Sequence, residues 1–217
     1  MSFFEMFLSG GIVMWPILLC SIVTLAIIIE RAVAFRNFKV NTVGFSEKIR
    51  DAIIRNDIDS IVRLCRFEKS PASEIIIRGL KKSPHGPARV RDAIEDAGNR
   101  EVRKLERGLP ALATIAGIAP MLGFLGTVTG MVSAFMVVQK KQGSVSPADL
   151  AGGIWEALIT TVFGLIVGII ALTFYNISLS MIGRLVSEME VVSTDVVDFL
   201  EERDMVGARI LGDGEGL

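Results

Sequence analysis

Imidazole is nearly missing from this chain: His85 is the single histidine in 217 residues. It stands between Pro84 and Gly86, with no second imidazole or thiolate nearby in sequence to complete a metal site or a nucleophile–base pair. Neither a metal nor a cofactor is therefore expected. Cysteine is scarce as well, and Cys20 and Cys65 fall in apolar and polar surroundings respectively, which suggests neither a disulfide nor a metal pair. Alternating strand patterns are absent, leaving an all-helical chain. Gly123, Gly126 and Gly130 lack the Gly-Lys-Ser/Thr ending of a phosphate-cradling loop. Basic residues outside the apolar runs alternate with acidic ones, so no nucleic-acid footprint forms.

Charge is missing from three long stretches: Met6 to Ile29, Gly108 to Gln139 and Ala157 to Gly183. Each exceeds the roughly 20 residues needed to cross a bilayer. All 47 charged residues lie in the remainder. The expectation is an all-α integral membrane protein with three transmembrane helices, two of them extended into a cytoplasmic helical bundle. The first run is expected to stay as a helix, because no basic stretch precedes it and it ends at Glu30-Arg31 without a small-residue cleavage site. Residues 30–107 carry 18 Lys/Arg, whereas the loop after the second run offers only Lys140 and Lys141. By the positive-inside rule the long segment and the C-terminus are expected to be cytoplasmic and the N-terminus outside, which is the periplasmic side in the reading developed below.

The resulting division is an interfacial segment at 1–10, spans at 11–29, 108–139 and 154–183, a cytoplasmic helical region at 30–107, a periplasmic loop at 140–153 and a cytoplasmic helix and tail at 184–217. Turn-rich stretches at Lys69-Ser70-Pro71 and Ser83–Pro87 separate helices expected near 42–66, 72–82 and from 88 onward, the last running into the second span with a bend at Pro110. Leu185, Met189, Val192, Val196 and Phe199 form an amphipathic arm after the third span. Segment 30–107 is net +6 and 183–217 net −6, so the arm is expected to pack on the charged helices. Beyond Met205 the glycine-rich end is expected to be disordered.

Two stripes of small residues remain. Ala113, Ala116, Pro120, Gly123, Thr127, Gly130 and Ala134 share one helical face of the second span. Ala157, Thr161, Gly164, Gly168, Ala171 and Tyr175 share one face of the third. Small faces let helices approach closely in a membrane, so these stripes read either as simple packing seams or as the walls of an assembly or pore. The first span is bulky around most of its circumference and suits contact with lipid. Thr127 and Thr161 can share one depth. Glu156, two residues into the third span, is either a functional ionisable group or a hydrated interfacial one. A hydroxyl cannot titrate near neutral pH, and no Asp, Lys, Arg or His lies within the spans. A proton pathway here would need an acid from a partner.

The strings LATIAGIAPMLGFLGTVTGMVSAF (Leu112–Phe135) and AGGIWEALITTVFGLIVGIIALTFYN (Ala151–Asn176) resemble the MotA/TolQ/ExbB proton-channel family, through the AP-x-LG-x-LGTV and GI-x-EAL-x-TT elements. The opening GGIVMWPILLCSIVTLAIIIER is similar to ExbB-type members. The resemblance implies a bacterial inner-membrane subunit of a motor driven by the proton-motive force. It implies a pentamer around a single-span ExbD/TolR-like partner whose transmembrane aspartate titrates, with a TonB-like or TolA-like protein receiving the work. It places Thr127, Thr161 and Glu156 on the proton pathway and Pro120 at the AP proline. In the resemblance, three spans favour ExbB or TolQ over the four-span flagellar stator subunit, and the N-terminal wording puts an ExbB-like role in TonB-dependent transport first and a TolQ-like role in envelope integrity second. A non-conducting scaffold would keep the seams and tolerate loss of either threonine. An intramembrane enzyme would need a nucleophile and base, or metal ligands, that the spans lack.

Overall fold

The computed structural model describes residues 3–39, 42–55, 57–68, 70–141 and 146–212. Among them the chain is all-helical: α1 (Phe3–Leu8), α2 (Met14–Lys39), α3 (Thr42–Ile54), α4 (Ile58–Phe67), α5 (Pro71–Leu80), a 3-10 turn at Ser83–His85, α6 (Pro87–Leu105), α7 (Leu109–Lys140) and α8 (Pro147–Gly212). Three segments are long and apolar enough to cross a membrane: Met14–Phe35 of α2, Leu109–Lys140 and Pro147–Glu202 of α8. The fold is thus all-α with three transmembrane helices. At 66 residues and ~1.5 Å per residue, α8 is about three times longer than the ~30 Å hydrocarbon core requires.

Two compact units form. One takes Met1–Arg31 and Gly108–Leu179, the other Ala32–Arg107 and Ser180–Leu217. In the first, α2 buries Met14, Ile17 and Thr24 while Leu19, Ile22 and Leu25 stay exposed. The bulky span expected to suit contact with lipid thus also has a protein-facing side, which includes Ile17. Phe7 of α1 meets Trp15 edge-to-face at 5.6 Å.

The second unit has an aliphatic core in which Phe45 and Ile49 of α3, Ile61 of α4, Ile75 and Ile76 of α5, Val90 of α6 and Val196 of α8 are fully buried. The acidic arm meets the basic helices directly: Arg50 Nε lies 2.8 Å from an Asp195 carboxylate oxygen, and an Arg91 guanidinium nitrogen 2.8 Å from Glu201. Burial pushes the Cys65 thiol up to about 12.

Three helix boundaries differ from the sequence expectation. The single helix expected over 42–66 is two, because Asp57 caps α4: its side chain accepts from the Ser60 N–H at 2.9 Å. Hydrogen bonds from the Ser60 hydroxyl and N–H hold the Asp57 carboxyl below the usual range. The continuous helix expected from Ala88 into the second span breaks after Leu105. Gly108, at φ +84, turns the chain through a left-handed conformation that side chains disfavour. Pro110 then sits in the first turn of α7, where its missing N–H costs nothing, so no bend arises there. Finally, of the end expected to be disordered beyond Met205, the part through Gly212 is helix, and residues 213–217 lie outside the described residues. A capping box starts α5, with Ser70 and Ser73 each accepting from the other's backbone N–H at 3.2 and 3.1 Å.

Candidate functional site

The two stripes of small residues face each other within one chain. A methyl group placed on Gly123 would stand 3.1 Å from the Thr160 carbonyl oxygen and 3.1 Å from Thr161 Cα. One on Gly164 would stand 2.6 Å from the Ala119 oxygen and 2.8 Å from Gly123 Cα. Methyl groups placed on Gly130 and Gly153 would stand 2.7 and 2.6 Å from each other's carbonyl oxygens, and one on Gly130 would also press on Ala157. These neighbours are mostly backbone atoms, which cannot rotate away as a side chain can. The helices therefore touch main chain to main chain in an antiparallel register, from Ala116 and Pro120 opposite Gly168 to Ala134 opposite Gly153. Residues 116–134 span about 27 Å at ~1.5 Å per residue, close to the thickness of the hydrocarbon core.

Of the two readings open for the stripes, the packing seam is present within one chain, where they pack α7 on α8. The surfaces left exposed on these helices are bulky: Met121, Phe124, Val128 and Phe135 on α7, Leu158, Leu165 and Ile169 on α8. Ala113 is exposed as well, while Leu112 and Ile115 are buried in its stead. Within α7, Pro120 removes one backbone donor and so frees the carbonyl of Ala116 from its helical partner. The proline ring seats against Gly168, where a methyl group would come within 2.6 Å of Pro120 Cγ.

The threonines sit on this contact. Thr161 Oγ1 reaches across to the Gly123 carbonyl at 3.1 Å and lies equally far from the carbonyl of Ala157 on its own helix. In a regular helix the Gly123 carbonyl also receives the N–H of Thr127, so one carbonyl links both residues. Thr127 Oγ1 donates to the Phe124 carbonyl at 2.6 Å. Both threonines are half-buried. Each hydroxyl has a single proton, and each directs it to a carbonyl, so what remains for a third group is lone pairs.

Glu156 is also half-buried. Its carboxylate lies against Gly11, in the turn between α1 and α2. Gly11 adopts φ +68, so a side chain there would be strained by the backbone and blocked by the carboxylate.

Thr160 is a residue the sequence reading passed over. It is fully buried, its hydroxyl donates toward the carbonyls of Ala157 (2.9 Å) and Glu156 (3.0 Å), and its side chain fills the space above Gly126. The signal was present as small residues every fourth position, Gly126-Gly130-Ala134 and Thr160-Gly164-Gly168. Thr24 of α2 is likewise buried, and its hydroxyl has no hydrogen-bond partner among the described residues. His85 is exposed in its 3-10 turn.

Residues 67–191 match the family model of the MotA/TolQ/ExbB proton channel family, which is more than half of the chain and contains the whole α7–α8 contact. The chain is 32% identical to the biopolymer transport protein ExbB-like 1 of Synechocystis sp., over 81% of this chain and 70% of that protein. It is 31% identical to an ExbB homologue of Methanothermobacter thermautotrophicus over 87% and 67% of the two chains. It is 29% identical to the Tol-Pal system protein TolQ of Haemophilus influenzae over 93% and 92%. With its three spans and its glycine and threonine contact inside the matched segment, the chain is a multi-pass membrane protein that belongs to the MotA/TolQ/ExbB proton channel family.

Proposed function

We propose that this chain is the ExbB-like subunit of an inner-membrane motor that uses the proton-motive force to do work on a partner protein, without enzymatic chemistry of its own. The observation that carries this reading is the state of the seam hydroxyls. Thr127 and Thr161 direct their protons to carbonyls of Phe124, Gly123 and Ala157 and keep only acceptor lone pairs. A protonated carboxylic acid can donate to such an oxygen. An ionised carboxylate needs donors, which these hydroxyls have already committed. An acid brought beside them is therefore favoured in its neutral form, and loss of its proton weakens the fit. The charge-free runs Met6–Ile29, Gly108–Gln139 and Ala157–Gly183 hold no acid, so the acid comes from a single-span ExbD/TolR-like partner. Copies of this chain, five by the family resemblance, surround that partner, and Glu156 sets the electrostatics near the outer end. Energy passes to a TonB-like protein in outer-membrane transport. The excess of Lys/Arg in residues 30–107 supports a periplasmic N-terminus and a cytoplasmic C-terminus.

Co-purification from native membranes tests the central point: a single-span protein with a membrane-embedded aspartate should travel with the chain, and its absence would remove the proton carrier. Loss of energised outer-membrane uptake on deletion supports the TonB-linked role, and an outer-membrane integrity defect would move the chain to a TolQ-like one. For orientation, Ser83→Cys should resist impermeant thiol reagents in intact cells while Ser146→Cys reacts, with Cys20 and Cys65 replaced. The reverse pattern would invert the topology.

A further inference from the structure

The hydroxyl of Thr161 has one proton and two acceptors within reach. Its oxygen lies 3.1 Å from the Gly123 carbonyl on α7 and 3.1 Å from the Ala157 carbonyl on its own helix, so distance does not choose between them. The choice has consequences. A proton on Gly123 ties α8 to α7, whereas a proton on Ala157 gives up that tie and swings the lone pairs of the hydroxyl to new directions.

The Ala157 carbonyl is already taken. In a regular helix it receives the N–H of Thr161, and the hydroxyl of Thr160 lies 2.9 Å from the same oxygen. A carbonyl oxygen has two lone pairs, and these two donors fill them. The Gly123 carbonyl has the matching vacancy, because the helical N–H of Thr127 occupies only one of its pairs. Thr160 could instead turn to the Glu156 carbonyl at 3.0 Å, which would release Ala157, but its position is confined. It is fully buried, and a carbon added to Gly126 would collide with its Oγ1 and Cβ. Burial also keeps Thr160 away from any partner's side chain, so its influence on the proton path has to pass through half-buried Thr161.

We infer that Thr160 is a positioning residue: by filling the Ala157 carbonyl it turns the Thr161 proton across to Gly123 and fixes the direction in which Thr161 offers its lone pairs. The inference rests on the role proposed above for Thr161, and it names the side chain that orients that hydroxyl.

The test uses the full-length chain in native membranes with its partner. Proton-driven work is scored as the extent to which each variant reverses the defect of the deletion strain. Native mass and partner co-purification are measured in parallel. Thr160→Val keeps the approximate volume and removes the hydroxyl, whereas Thr160→Ser keeps the hydroxyl and removes a methyl group. A positioning role ranks serine above valine, and a packing role ranks valine above serine. With oligomer and partner retained, Thr160→Val should lower the work about fivefold, the equivalent of one neutral hydrogen bond, and Thr160→Ser should keep most of it. In the residual work of Thr161→Val, adding Thr160→Val should change nothing further, because the hydroxyl it orients is gone. Valine retained with serine impaired, or a further loss in the double variant, would overturn the inference. A Thr160→Val chain that loses its oligomer or partner would assign the hydroxyl to folding and equally overturn it. Loss in Thr161→Val with none in Thr160→Val would bring down this inference alone, and full activity in Thr161→Val would bring down the reading beneath it.

Discussion

The two helical interfaces of this chain solve the same packing problem with opposite materials. Between α7 and α8 the contact is made by glycine, alanine and threonine, so close that carbonyl oxygens of one helix occupy the space a Cβ of the other would need. In the charged unit, Phe45, Ile49, Ile61, Ile76 and Val196 fill the interior and ion pairs such as Arg50–Asp195 lie at its edge. The difference follows from solvent. Lipid is as apolar as leucine, so burying large side chains between membrane helices gains little, and what remains is dense van der Waals contact and hydrogen bonding between close backbones. In water the transfer of aliphatic surface is itself the driving force. The membrane interface therefore depends on what its residues lack, and the aqueous interface on what they supply.

The sharpest way to break that comparison is to add a side chain where the membrane interface has none. Gly130→Leu should prevent α7 from packing on α8, because the obstacle is the Gly153 backbone, and little folded protein should survive detergent extraction. Gly126→Ala meets the movable Thr160 side chain instead. It is expected to cost about 1–3 kcal/mol, the range for overpacking, and Thr160→Ala should recover part of it in thermal unfolding. Equal effects at the two glycines would contradict a backbone-limited contact. In the aqueous unit the direction reverses, and removal does the damage. Ile61→Ala should cost about 2–5 kcal/mol through lost burial and the cavity left behind, read in denaturant unfolding. The smallest effect belongs to Arg50→Ala: its pair with Asp195 is largely exposed, so ~0.2–1 kcal/mol is expected, shrinking further in high salt.

Much of this division is legible in the sequence, but not its partners. Runs without charge mark the spans because bilayer thickness sets a minimum length, and Gly123, Gly130, Gly164 and Gly168 mark faces because small residues recur at helical spacing. Periodicity fixes a face and says nothing about what covers it. Two small stripes fit each other in one chain as well as they fit a second copy, so the sequence leaves both arrangements open. Thr160 escaped notice because a stripe traced through Thr161 excludes its neighbour by about 100°. The break at Asp57 was hidden for a related reason: the apolar period continues through it, and only the Asp57-x-x-Ser60 cap marks a new start. Gly108 lies at the junction of a charged and an uncharged pattern, both helical, so only its left-handed backbone separates α6 from α7.

In the proposed motor the hydroxyls on the membrane interface serve the proton path while the glycines around them serve packing. Thr161→Val keeps the volume and removes the oxygen that bonds to Gly123. In the account above, the variant assembles and retains the single-span partner while proton-driven work falls sharply, and Thr161→Ser keeps part of that work; Thr127→Val behaves likewise. Full proton-dependent activity in both valine variants, with partner binding unchanged, would contradict the account and leave the threonines as packing residues of a passive scaffold.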